Sequence, residues 1–241
     1  MFKLNAINKR ILFISDQHHP YQHKDMLKFL REVKRKYLDK NDIILNLGDE
    51  IDGHAVSFHD SDHELLSAGD ELEKAKFYLQ GLHEIFPKMY LVDSNHGSLY
   101  IRRMKKHGIP ITVLKPMNEI LGVGKNWSWH DDILLKTKLG PVYVCHGKKS
   151  TYNGLNREMG CSCVQGHFHG KFEVTWKRTA IGDTFNMFCG CLIDYNSLAF
   201  SYGKNNVPKP ILGVGLLSKE GYPKLIKLVE DEKGNWIGKL P

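Results

Sequence analysis

Five short apolar runs in this chain are each followed at once by a burst of carboxylate, imidazole or carboxamide side chains, and that recurrence constrains the fold most. Ile11 to Ser15 leads into Asp16-Gln17-His18, Ile43 to Leu47 into Gly48-Asp49-Glu50-Ile51-Asp52, and Met89 to Asp93 into Ser94-Asn95-His96. Val142 to Cys145 then runs into His146-Gly147, and Cys163 to Gln165 into Gly166-His167-Phe168-His169. Short continuous apolar runs of this kind read as buried strands. Open α/β sheets place their ligands at the carboxyl ends of such strands, so the five polar bursts are expected along one edge.

Between the first three strands lie helix-like segments, Lys24 to Tyr37 and about His63 to Phe86; in the second, Leu65, Leu72, Leu79 and Phe86 recur every seven residues. A third helix is expected from Ser98 to Lys106, with Ser98 able to cap its first turn and Gly108 able to end it. Ile133 to Thr137 reads as another strand. Beyond about residue 170 the pattern is strand alone: Phe172 to Lys177, Thr184 to Cys191, Ile211 to Leu217 and Tyr222 to Leu228. The chain is therefore α/β at the front and β-rich at the back, which two sheets would accommodate. No repeat, linker or low-complexity tract divides it, and residues 1–241 are expected to form one domain.

Composition narrows the setting. With 41% hydrophobic and 25% charged residues the chain must bury a core, and no apolar run approaches the roughly 20 residues of a membrane span. The run Ile11 to Ile14 is too short for a signal-peptide core, so a cytoplasmic protein is expected. Five cysteines, an odd number, suit free thiols better than a disulfide framework. Cys161-Ser162-Cys163 and Cys189-Gly190-Cys191 could in principle hold a structural zinc. Their spacing is not that of common zinc motifs, and both fall in strand-like runs, which favours buried reduced thiols.

The charge balance is 34 − 27 = +7, with the excess in clusters such as Lys34-Arg35-Lys36, Arg102-Arg103 with Lys105-Lys106, Lys148-Lys149 and Lys177-Arg178. Most such clusters are solvated faces. The net charge raises the expectation of an anionic partner such as nucleic acid without establishing one.

Asp16, His18, Asp49, Asn95, His146, His167 and His169 form a donor set of oxygen and nitrogen without thiolate, suited to Mn, Fe or Zn better than to Ca or Mg. The count fits two ions. On an extended segment residues i and i+2 point the same way, so Asp16 and His18 can share one ion, and the same geometry is expected of His167 and His169. Gly48 and Gly166 would relieve crowding where the chain leaves a strand sharply. Singly, each of these residues has an ordinary reading as a core histidine, a helix cap or a turn residue. Their joint placement at consecutive strand ends argues against seven separate accidents.

In order and spacing these blocks resemble the calcineurin-like metallophosphoesterases, which carry Asp-x-His, Gly-Asp-x-x-Asp, Gly-Asn-His-Asp/Glu, a His usually followed by Gly, and Gly-His-x-His. The resemblance covers roughly residues 10 to 170. It implies a four-layer α/β sandwich, two mixed sheets face to face with helices outside. It also implies two divalent cations, Mn first among the candidates and Fe or Zn behind it. Asp16, His18, Asp49 and His169 would hold one, and Asp49, Asn95, His146 and His167 the other, with Asp49 bridging. Such a pair, about 3.5–4 Å apart, holds a bridging hydroxide and clamps the phosphoryl oxygens. His96 is then implied as general acid toward the leaving group, and Asp52 as the carboxylate that orients and charges it.

The chain also departs from the family pattern. Ser94 replaces the usual Gly, Gly97 replaces the acidic residue after the His, and Gly53 stands where Ser/Thr protein phosphatases of the superfamily carry a phosphate-gripping Arg. Arg102 or Arg103 is the first candidate for a replacement clamp, with Lys148, Lys149 and Arg157 as others, while the ordinary reading of each is a solvated helix face. His54 and His59 are the remaining histidines most expected to reach substrate. Tyr21, Trp127 and Trp129 could stack on a ring, though core packing is the safer reading for the tryptophans. Specificity is expected from loops 53–65, 97–110 and 147–160. The function read from the sequence is hydrolysis of phosphodiesters of nucleic acid or nucleotides. Alternatives are a phosphomonoesterase acting on a phosphoprotein or metabolite, and a silent scaffold on the same fold.

Overall fold

A computed structural model describes residues 1–58, 64–151, 154–180, 182–203 and 209–241. The first sheet is built on β2 (Ile11–Ile14), whose parallel neighbour is β3 (Ile43–Asn46), followed in parallel by β4 (Met89–Val92) and β5 (Trp127–His130). On the other side of β2 come β11 (Gly213–Leu217) and β12 (Pro223–Lys227), both joined by antiparallel pairing. The second sheet runs in the order β1 (Phe2–Asn5), β6 (Ile133–Lys136), β7 (Pro141–Cys145), β8 (Ser162–Gln165), β10 (Gly182–Cys189), β9 (Phe172–Thr179). Each sheet is mixed and six-stranded.

Side-chain alternation explains why the sheets face one another. In β2, Ile11 and Phe13 pack with Val142, Val144, Val164, Phe185 and Met187 of the second sheet, while Leu12 and Ile14 pack on the opposite side. That outer side is covered by α1 (Met26–Tyr37) and α2 (Ala68–Ile85) through Phe29, Leu30, Val33, Leu79 and Leu82. Behind the second sheet, α5 (Gly154–Met159) covers Tyr143, Cys145 and Cys163 with Leu155. The layers are helix, sheet, sheet, helix. Two shorter helices, α3 (Leu99–Lys106) and α4 (Met117–Ile120), connect β4 to β5. Among the described residues no helix is long and apolar enough to cross a membrane.

Several expectations need revision. The second helix starts at Ala68, with the Ser67 hydroxyl accepting the Asp70 N–H at 3.3 Å, and His63 lies outside the described residues. Its buried stripe is Glu71, Ala75, Leu79, Leu82 and Ile85; of the seven-residue series Leu79 and Phe86 are buried, while Leu65, ahead of the helix, and Leu72 are partly buried and pack against the same core. Ser98 makes no capping hydrogen bond and donates instead to the Ser94 carbonyl, while Gly108, at φ 71°, does end α3. Strands β1 and β5 and helices α4 and α5 add to the elements read from sequence. The five cysteines are free and buried, and none enters a cluster of three potential metal donors among the described residues, so the Cys-x-Cys pairs do not form a zinc site.

Candidate metal centre

The five polar bursts meet at the carboxyl ends of β2, β3, β4, β7 and β8. Backbone pairing continues past the ends of β2 and β3: Leu47 N–H donates to the Ile14 carbonyl, Asp16 to Gly48, His18 to Asp49, His19 to Glu50 and Asp52 to His19, all at 2.7–3.1 Å. This zips the loop carrying Asp16 and His18 to the loop carrying Asp49 and Asp52. The second sheet is tied in by His167 N–H, which donates to the Asp16 carboxylate, and the α3 side by His96 N–H, which donates to Asp49 Oδ1 at 2.9 Å.

The local geometry differs from the extended Asp-x-His expected above. Asp16 and His18 both lie at φ 50°, Asp49 at 52° and His167 at 67°, in the left-handed region that favours glycine. Left-handed turns, rather than strand alternation, bring the donors inward. The same departure separates His167 from His169. His169 joins Asp16 and His18 in one cluster of potential donors, and His167 joins Asp49 and His146 in another, each within 4.8 Å. Gly166 permits this close approach, since a Cβ there would run into Ser15 Oγ.

Within the clusters, His169 Nε2 lies 3.1 Å from Asp16 Oδ1, and His146 Nε2 lies 2.7 Å from Asn95 Oδ1 and 3.2 Å from His167 Nδ1. Asp49 Oδ2 stands between the two groups, 3.5 Å from His18 Nε2 and 3.1 Å from His146 Nε2. All seven expected donors are thus brought together, and His96 joins a third cluster with His18 and Asp49. Nδ1 of His146 is 2.8 Å from the Leu47 carbonyl, which assigns it the proton and turns Nε2 toward Asp49. Buried His18 Nε2 has no hydrogen-bond partner among the described residues. An orphaned imidazole nitrogen facing two carboxylates fits a cation, and the set of four imidazoles, two carboxylates and a carboxamide fits a borderline divalent one.

Electrostatics agree. Burial alone would lower His146, but Asp49, Asp16 and the Leu47 carbonyl raise it to about 9. Burial would raise Asp16 and Asp49, yet His169 holds the first below its ordinary value and His146 the second well below. His18 and His167 are lowered, chiefly by burial, and stay neutral.

The expected clamps separate. Arg103 Nε donates to the Val56 carbonyl at 2.6 Å and its Nη2 to Ser57, which commits it as a strut for loop 54–57. Arg102 is exposed and donates one Nη2 hydrogen bond to the Asn95 carbonyl, beside the donors. Lys148 is paired with Asp132 at 2.9 Å, Lys149 with Glu158, and Arg157 is exposed on α5. His54 Nδ1 sits 3.9 Å from Asp52 Oδ2, and His59 lies outside the described residues. Trp127 is core, its indole N–H on the Phe86 carbonyl, and Tyr21 is nearly buried. Trp129 donates its indole N–H to Glu50 Oε1 at 2.8 Å.

Sequence reasoning passed over the residues that support the donors. Glu50 is buried behind Gly97 with its pKa pushed up to about 7, by burial first and by the Asp49 charge second. Glu71 accepts the His54 and Ala55 N–H groups at 2.9 and 3.1 Å, and Gln165 Oε1 accepts those of Lys148 and Lys149 at 3.0 and 3.3 Å. A polar residue on an otherwise apolar helix stripe or strand is the signal that could have found Glu71 and Gln165.

With this geometry in view, the comparison with known families is decisive: the profile of the calcineurin-like phosphoesterases matches residues 9–184. The chain belongs to that family. It is a metal-dependent phosphoric ester hydrolase, and the family together with the His and Asp clusters points to a dinuclear divalent-metal site. Among solved structures it is similar to a protein serine/threonine phosphatase from Saccharomyces cerevisiae, at 10% identity and a TM-score of 0.43, over 96% of this chain and 84% of that one. No curated protein sequence matches significantly.

Proposed function

We propose that this hydrolase cleaves phosphodiester bonds of nucleic acid or nucleotides with two cations, Mn by preference. Asp16, His18, Asp49 and His169 would hold one and Asp49, Asn95, His146 and His167 the other. The observation that carries the reading is Asp49 Oδ2 lying within 3.5 Å of His18 Nε2 and 3.1 Å of His146 Nε2, so that one carboxylate serves both groups. Bound there, the cations would supply an activated water and neutralise charge on the phosphoryl oxygens.

His96 is the group placed to move a proton. Its Nδ1 is 2.6 Å from the Asp52 carbonyl, which leaves Nε2 as the nitrogen to carry a proton to substrate, and its side chain is 22% exposed. Protonated at Nε2, it would deliver that proton to the leaving oxygen. Arg102, beside Asn95, is the cation placed to grip a phosphate.

A diester is favoured over a monoester by Gly53 at the position where the phosphatase branch has Arg, and by the cationic face at the rim. Helix α3 carries Arg102, Arg103, Lys105 and Lys106 with no acidic residue, and the first two and Lys106 lie within 5.4 Å of the exposed Phe58 ring. Cations interleaved with an aromatic suit a polynucleotide. The test is Mn-reconstituted protein assayed on bis-aryl and mono-aryl phosphates and on single-stranded DNA across a salt series. Faster diester cleavage and salt-weakened DNA binding are expected; faster monoester cleavage with salt-independent DNA binding would overturn the reading.

A further inference from the structure

The family resemblance assigns the Asp52 carboxylate to His96, but the distances give it to another ring. Asp52 Oδ1 is 2.6 Å from His18 Nδ1 and 3.4 Å from His96 Nδ1, and what holds His96 at 2.6 Å is the Asp52 backbone carbonyl. A side-chain atom and a backbone atom of one residue thus serve two histidines. The side chain is 2% exposed, and its Oδ2 has no hydrogen-bond partner among the described residues, with His54 Nδ1 at 3.9 Å. The His18 bond is the shorter and the more fully buried of the two, since the His18 side chain is 1% exposed and that of His96 22%. Backbone bonds fix both ends of the His18 contact: His18 N–H donates to the Asp49 carbonyl at 2.8 Å, and Asp52 N–H to the His19 carbonyl at 3.0 Å.

We propose that Asp52 is the positioning carboxylate of the cation site built on His18, and that it holds His96 through its backbone carbonyl alone. The inference rests on the ligand set given under Proposed function. With Nδ1–H donated to a carboxylate, the His18 proton is fixed at Nδ1, and the orphaned Nε2 keeps a fixed and more basic lone pair for a cation held between it and the carboxylates of Asp16 and Asp49. The His96 ring keeps its acceptor whatever side chain stands at 52, because the acceptor is main chain. Asp52 therefore acts on the metal rather than on the leaving-group proton.

Calorimetric Mn titration of the full chain distinguishes the roles. For Asp52→Asn the weakening expected is about tenfold to a hundredfold at one of the two sites, with the other unchanged, and turnover lost at limiting Mn should return as Mn is raised. For His96→Asn both Mn affinities should stay at wild-type values while turnover stays low at every Mn concentration. The proposal is overturned if Asp52→Asn binds both ions like wild type and its turnover cannot be recovered by Mn. Should that variant not fold, cadmium-113 NMR of the wild-type protein decides instead: coupling of one ion to His18 Nε2, with a slowly exchanging proton on Nδ1, supports it, and coupling to Nδ1 overturns it. A wild-type chain that binds no divalent ion would overturn the metal reading itself and this inference with it.

Discussion

Ser94 stands where the family has glycine, and its hydroxyl joins the two loops that carry Asp49 and His96. Ser94 Oγ accepts the Asp49 N–H at 2.8 Å and the Gly97 N–H at 3.1 Å, and the residue is only 6% exposed. Ser94→Ala leaves both amides buried without an acceptor. At about 1–3 kcal/mol for each unsatisfied buried group, the loss should be about 2–6 kcal/mol. For a chain of this size each kcal/mol moves Tm by about 2–4 °C, so a drop on the order of 10 °C is expected. Ser94→Gly removes the methylene as well, which leaves room for about one water able to bridge the two amides. It should therefore be milder than Ser94→Ala, even though glycine costs about 0.5–1 kcal/mol in backbone entropy. Gly48 provides an internal control: a Cβ there would run into the Ser94 Cβ, so Gly48→Ala should cost less in the Ser94→Gly background than alone. Thermal and urea unfolding of metal-stripped protein measure all four variants. A Ser94→Ala chain within about 0.5 kcal/mol of wild type, or a Ser94→Gly chain less stable than it, would refute the two-amide clasp.

Glu50, with its pKa raised from 4.5 to about 7, is neutral at low pH and must ionise in a buried setting above neutrality. A raised carboxyl contributes stability that is complete below pH 4.5 and lost as pH rises through about 7. Glu50→Gln should therefore melt higher than wild type at pH 8, by a margin on the order of 1–3 kcal/mol, and the gap should close by pH 4.5; a gap independent of pH refutes this. His146 gives the opposite linkage to metal. In the metal-free protein its stabilising contact with Asp49 is complete below pH 6.5 and fades as pH climbs through about 9. To bind a cation at neutral pH His146 must release its proton, so apparent metal affinity should rise with pH up to about 9, by up to tenfold per unit. Calorimetry in buffers of different ionisation enthalpy should record about one proton released from this site at pH 7, and none released would contradict it.

The front half of the fold was legible because parallel strands buried on both faces must be continuously apolar and their crossover helices periodic. The clustering of Asp16, His18, Asp49, Asn95, His146, His167 and His169 was legible because few residue types can hold a borderline cation, and these recur where strands end. What escaped depends on contacts between distant segments. Glu50 is buried by Trp129, 79 positions away, and Asp52 Oδ1 reaches His18 across 34. No local pattern encodes such a partner. The choice between Arg102 and Arg103 was equally hidden, because it turns on which guanidinium the carbonyls of Val56 and Ser57 capture. The seven-residue series did mark the core-facing side: Leu79 and Phe86 are buried, and Leu72 and Leu65 pack partly buried against the same core, although Leu65 lies before the Ser67 cap.

The left-handed backbone at Asp16, His18, Asp49 and His167 ties the geometry of the clustered side chains to the packing of the fold. Of the five described non-glycine residues with positive φ, four are Asp16, His18, Asp49 and His167. Strained conformations of this kind cost on the order of 1–3 kcal/mol each and persist only where surroundings over-determine them. Here the surroundings come from both sheets. Asp16 N–H is held by Gly48 beyond β3, its carboxylate by His167 N–H beyond β8, and its carbonyl accepts Leu192 N–H just past β10. The last two bonds exist only once the sheets have packed, because Asp16 belongs to the first sheet's loops and His167 and Leu192 to the second's. The strain is thus sustained by the inter-sheet core around Phe13, Leu45, Val144 and Phe185, at a distance from the chemistry. Loosening that core should release the left-handed turns before it unfolds the strands, and a cation that binds only the assembled donors stabilises the packed sheets by the free energy of its binding.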